Sequence, residues 1–182
     1  MKLATLNNNT RDGALLVVNK QLTMAALVPN IASTLQQALD NWDKHQPALD
    51  QVYRDLNNNK LANAFKLDIN DQKQLMSPLP RAYQWADASA YVNHVELVRK
   101  SRGVEMPENF WTDPLMYQGG SDRFLGPRED IKVDNLDYGL DFEAEVAVIT
   151  NDVPMGCDLA TAEKSILLLN MSKVILVTSF FL

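Results

Sequence analysis

The spacing of hydrophobic positions changes near Ile31. Before it, Lys2 to Leu6 and Ala14 to Val18 read as two strands, separated by the turn-rich run Asn7-Asn8-Asn9-Thr10-Arg11-Asp12-Gly13. Gln21 to Val28 predicts a third strand or strand end that stops at Pro29-Asn30. After Ile31, Leu35, Ala38, Leu39 and Trp42 fall at helical spacing, with Ser33 as the candidate N-cap. Pro47 is expected to interrupt that helix, Ala48, Val52 and Leu56 to resume it, and Asn57-Asn58-Asn59 to end it. Leu61 to Asp68 reads as a short strand or helix, and Lys66-Leu67-Asp68-Ile69 alternates weakly. Pro78 and Pro80 then fix an extended segment. It separates a small β-rich N-terminal module with helices, 1–76, from a second domain, 77–182.

In the second domain, Tyr83 to Gly103 starts as loop and becomes helical, and the chain is irregular from Arg102 to Trp111. The loop 114–127 holds Gly119, Gly120 and Gly126, where the backbone can turn sharply or approach a ligand. Ile131 to Val133 predicts a short strand and Gly139 to Thr150 a long one. Asn151 to Gly156 is a turn, and Ala160 to Lys164 begins a helix. The fold class is α+β.

Alternation along Gly139–Thr150 brings chemistry into view. Residues two apart in a strand share a face, so Glu143 and Glu145 project side by side while Phe142, Ala144 and Val146 face the other way. Adjacent carboxylates repel unless a positive group lies between them, and a hard divalent cation with oxygen ligands is one solution. A solvated face is the other. Asp87 is a third carboxylate that could complete such a site or, alternatively, cap the helix that follows it. His94 follows Asp87 by seven residues, and Tyr117 can offer a phenolic hydrogen bond. Asp122 and Arg123 read as a solvated pair on a loop, and His45 as a surface histidine.

Three segments carry a resemblance: S-P-L-P-R-A-Y-Q-W-A-D-A-S-A-Y-V-N-H-V-E-L-V-R-K-S-R-G (77–103), P-L-M-Y-Q-G-G-S-D-R-F-L-G-P (114–127) and D-F-E-A-E-V-A-V-I-T (141–150). In order and spacing they resemble the fumarylacetoacetate hydrolase family, its bacterial members in particular, over about residues 1–165. The resemblance implies an N-terminal module followed by a mainly-β catalytic domain, here incomplete. It implies a cation, Mg²⁺ or else Ca²⁺ or Mn²⁺, held by Asp87, Glu143 and Glu145. It makes His94 the catalytic base and gives Tyr117 and Arg102 the substrate's oxygens. The implied reaction is hydrolysis of a carbon–carbon bond in a β-diketo acid, typified by fumarylacetoacetate giving fumarate and acetoacetate in tyrosine breakdown. The implied partners are a small-molecule keto acid and, through the catalytic domain, a second copy in a homodimer.

Charge and composition narrow the alternatives. Of the 182 residues, 22% are charged and 46% hydrophobic, and the net charge is −6 with a pI near 4.9. That balance opposes nucleic-acid binding, which calls for a basic face. Cys157 is the single cysteine, so no intramolecular disulfide forms. The start, M-K-L-A-T-L-N-N-N-T, lacks the apolar core of a secretory signal, and the expected location is the cytoplasm.

The end of the chain departs from the resemblance. Family members continue into an N-D-x-S-x-R-like motif whose aspartate is a fourth metal carboxylate. Here the corresponding residues are Leu169-Asn170-Met171-Ser172-Lys173, and no carboxylate follows Glu163. A frameshift after about residue 165 would produce this pattern. The expectation is then little or no hydrolase activity, and the alternative function is a catalytically inactive N-terminal fragment, at most a folding or association module. The apolar tail Ile166 to Leu182 is interrupted by Asn170 and Lys173. A buried helix or strand, or an aggregation-prone end, is preferred to a bilayer anchor, for which the run is short.

Overall fold

The computed structural model describes residues 1–71, 73–113 and 115–177. Strands β1 (Lys2–Leu6), β2 (Ala14–Val18), β3 (Met24–Leu27) and β4 (Phe65–Lys66) form one antiparallel sheet in that order. The central strand explains its own sequence. Leu15, Leu16, Val17 and Val18 are all buried, so both faces of β2 are covered and an unbroken apolar run replaces alternation. Leu15 and Val17 pack with Leu35, Ala38, Leu49 and Leu56 of the helical layer. Leu16 and Val18 pack on the opposite side with Ala25 and Leu67.

The helical layer is α1 (Leu35–Leu39) and α2 (Trp42–Asn57). The N-cap of α1 is Thr34, whose hydroxyl accepts from the Gln37 amide, while the Ser33 amide donates to the Gln37 side chain. Pro47 does not interrupt the helix; it lies inside α2, and the break falls earlier, at Asp40–Asn41. Proline removes one backbone hydrogen bond. The apolar stripe of Leu49, Val52, Tyr53 and Leu56 on the core keeps the helix whole across it.

The segment after β4 returns along β1. Asn7 N donates to Gln74 O (2.8 Å), Met76 N donates to Thr5 O (3.0 Å), and Leu6 and Leu75 form a bridge. Arg81 then grips Asp12 through two parallel hydrogen bonds of 2.6 and 2.8 Å. Beyond this clasp lie β5 (Ala86–Ala88), α3 (Val92–Ser101) and β6 (Met116–Gln118), with β5 and β6 paired antiparallel. Next come β7 (Leu140–Thr150), α4 (Leu159–Lys164) and β8 (Ile166–Val177), with β7 and β8 paired antiparallel along their length. Ile149, Leu167 and Leu168 pack against the N-terminal core and anchor this ribbon.

The architecture is mixed helix and strand with small antiparallel sheets, an α+β arrangement. Ile131–Val133 forms no strand, and Arg123 pairs with Glu129 rather than Asp122. The stretch expected to be irregular contains a 3-10 turn at Glu108–Trp111. The first part of the apolar tail is strand β8, in which Leu167 and Leu168 pack on the N-terminal core while Leu169 and Met171 are each 73% exposed. The rest of the tail, 178–182, and Pro114 at the head of the glycine-bearing loop lie outside the described residues. Among the described residues no helix is long and apolar enough to cross a membrane.

Candidate active site

The long strand β7 sets the site. Its inward positions Glu143, Glu145, Ala147 and Ile149 are half-buried, and its outward positions Phe142, Val146 and Val148 are exposed. This reverses the usual assignment of charge to water and apolar groups to the interior. Ile149 holds one end of the strand on the N-terminal core, so the same face carries the two carboxylates inward further along. The side chain of Glu143 is only 19% exposed. The E-x-E pair is therefore not a solvated face.

Three other elements converge on these carboxylates. Asp87 is the middle residue of β5, half-buried, and the N-cap of α3 is Tyr91, so Asp87 does not cap that helix. Across the β5–β6 ladder Asp87 lies opposite Tyr117. His94 stands in the first turn of α3, with Nε2 3.5 Å from Glu143 Oε1, an ion-pair distance when the imidazole is protonated.

The electrostatics show how closely the groups sit. Burial raises the Glu145 pKa, the charges of Asp87 and Glu143 raise it further, and His94 opposes them. Burial also raises the Tyr117 phenol, followed by the Asp87 charge, a hydrogen bond to Asp87, and the charges of Glu145 and Glu143. Asp87, His94, Tyr117, Glu143 and Glu145 thus form one mutually interacting cluster. Arg102 does not join it. It is the exposed C-cap of α3, eight positions after His94, about 12 Å along the helix axis.

Family-model comparison accounts for most of the chain. Residues 1–81 match the model described as fumarylacetoacetase N-terminal domain 2, and residues 84–169 match the fumarylacetoacetate (FAA) hydrolase C-terminal model. The chain belongs to the fumarylacetoacetate hydrolase family. Membership supports a hydrolase or related activity of that superfamily. A comparison with curated proteins finds no match.

Enzymes of the fumarylacetoacetate hydrolase family are often metal-dependent. The donor set here, three half-buried carboxylates from β5 and β7, is chemically suited to a hard oxygen-seeking cation. Yet among the described residues no three His, Cys, Asp or Glu side chains are arranged to hold a metal ion together. Donor chemistry and arrangement therefore agree only in part.

Beside the cluster an open cleft of about 1540 Å³ runs along β7, lined by Ala147, Ile149, Tyr117, Trp85, Gly119 and Phe124 among others. Trp85 escaped the sequence reading, which marked Gly119 only as a place where the backbone can turn or approach a ligand. Trp85 precedes Asp87 by two residues, the strand spacing that puts both on one face, and that was the available signal.

Proposed function

We propose that this protein is a cation-assisted hydrolase that cleaves a carbon–carbon bond in a β-diketo acid of the fumarylacetoacetate type. The observation that carries this is the convergence of His94 on Glu143 at 3.5 Å within a cluster that also contains Asp87, Glu145 and Tyr117. A cation, Mg²⁺ or alternatively Ca²⁺ or Mn²⁺, held by Asp87, Glu143 and Glu145 would supply Lewis-acid polarisation of a dicarbonyl.

The chain's own residues do the rest. Glu143 faces Nε2 of His94 and favours the tautomer with its proton there. Nδ1 then carries the lone pair that takes a proton from water, so His94 acts as the general base. The Tyr117 phenol, which burial and Asp87 keep protonated, can donate a hydrogen bond either to Asp87 or to a substrate oxygen. Arg102 would have to swing from the end of α3 to contact substrate.

A second reading has its own observation. No three-ligand group is assembled among the described residues, and Phe142, Val146, Val148, Leu169 and Met171 leave an exposed apolar strip on the β7–β8 ribbon. These features favour a non-catalytic module with a partial site that associates with another chain, for instance as a homodimer.

One experiment separates the two: thermal melts with and without millimolar Mg²⁺, Mn²⁺ or Ca²⁺. Under the enzymatic reading a cation raises the melting temperature of the parent chain and not of Glu143→Ala, since only the folded state offers the site. The same preparations are then assayed for cleavage of fumarylacetoacetate, where His94→Ala is expected to lose about 10²–10⁴-fold in rate. A melt indifferent to all three cations, with no turnover, would leave the non-catalytic module standing.

A further inference from the structure

The inward face of β7 continues past its carboxylates. Glu143, Glu145, Ala147 and Ile149 share that face, and Ala147 and Ile149 line the cleft. Ala147 follows Glu145 by one strand repeat, about 7 Å. Tyr117 joins the two regions, lying opposite Asp87 in the β5–β6 ladder while also lining the cleft. A ligand whose oxygens sit at the carboxylates therefore enters the cleft with a substituent only a few bonds long.

At that point the wall is aromatic. The Trp85 ring meets Tyr117 edge to face, with centroids 5.8 Å apart at 76°, and Phe124 at 6.3 Å and 54°. Gly119 N donates to Trp85 O at 3.1 Å, which extends the β5–β6 pairing by one step. The indole lies directly over Gly119, where an added Cβ would come within 2.2 Å of ring atoms Cε3 and Cζ3. Gly119 is not in the left-handed backbone region. Glycine is needed there for room, to let the ring lie flat against the chain.

We propose that Trp85, seated on Gly119 and buttressed by Tyr117 and Phe124, forms a subsite for a planar apolar substituent of an oxo acid whose oxygens face the carboxylate cluster. This deepens the function proposed above and rests on it. Such a substituent loses contact with water and gains contact with the indole, whereas a short polar acid gains neither. Trp85 and Gly119 are thereby specificity-determining residues.

Isothermal titration of the full chain in millimolar Mg²⁺, with pyruvate and phenylpyruvate as probes, tests this. Phenylpyruvate is expected to bind about tenfold more tightly than pyruvate, the worth of a partly buried ring. Trp85→Ala and Gly119→Ala should remove that advantage and leave pyruvate affinity in place. Trp85→Phe should retain most of the advantage, and it guards against a variant that simply unfolds. Equal affinity for the two acids, or an advantage that survives Trp85→Ala, overturns the subsite; pyruvate binding that needs Mg²⁺ and Glu143 would still uphold the function. Phenylpyruvate binding that needs Trp85 but neither Mg²⁺ nor Glu143 keeps the subsite and overturns the function. Binding of neither acid overturns both.

Discussion

At Glu145 three influences push one carboxyl group in the same direction. Burial comes first, then the charges of Asp87 and Glu143, and only His94 opposes them. A carboxyl raised in the folded state holds its proton more tightly there than in the unfolded chain. Its stabilising protonation is present in acid and is lost as pH rises from 4.5 through the folded value. In a chelator, the melting temperature should therefore fall across that window, and Glu145→Gln should remove part of the fall. At neutral pH the same variant should melt slightly higher than the parent, and addition of Mg²⁺ should no longer help it. A variant that melts lower than the parent in chelator would show that Glu145 is held by a favourable contact rather than by repulsion.

At the scale of elements, β2 and β7 are opposite uses of the same backbone. β2 is apolar on both faces and buried on both. β7 turns its carboxylates inward and leaves Phe142 and Val146 61% and 67% exposed. Substitutions should respond accordingly. Leu49→Ala, which empties a fully buried position beneath β2, is expected to cost about 2–5 kcal/mol. Val146→Thr, on the outer face of β7, should change stability by no more than about 0.5 kcal/mol. Urea melts of the two variants check this, and a large loss from Val146→Thr would mean that something covers that face in solution. Opposite Val146 and Val148 in register stand Met171 and Leu169, so the exposed apolar strip spans both strands of the ribbon. A strip of this kind favours association.

Across the whole molecule, packing is uneven. Almost all buried hydrophobic residues lie between Leu15 and Leu67; after Leu67 only Pro80 and Val95 among the described apolar residues are buried. The second half is held to the first by the Asp12–Arg81 pair, by residues 74–76 along β1, and by Ile149, Leu167 and Leu168 on the N-terminal core. Local opening is cheapest where few apolar contacts must be broken. Amide hydrogen exchange is therefore expected to be slowest in β2, β3 and α2 and faster by orders of magnitude across 83–139. Uniform protection along the chain would contradict that distribution. The cluster of Asp87, His94 and Tyr117 is carried by the weakly packed part, while Glu143 and Glu145 ride on a strand anchored in the strong part. A ligand that bridges the two groups would stabilise mainly the former.

The sequence alone determined the elements whose pattern is local. β1 and β2 follow from short apolar runs bounded by turn formers, and β7 from an alternation that also paired Glu143 with Glu145 on one face. The motifs at 77–103, 114–127 and 141–150 sufficed to indicate the family. What local pattern could not decide depended on contacts far apart in the chain. Pro47 was read as a break because its missing amide is a local fact, whereas the apolar stripe that carries α2 through it is a tertiary one. Asp87 could cap a helix or face a partner until the pairing with Tyr117 placed it in β5. Which face of β7 turns inward could not be read from alternation, because alternation is symmetric between the two faces. It was settled by Ile149, whose packing on a core built from residues 15–56, far earlier in the chain, turns Glu143 and Glu145 toward His94.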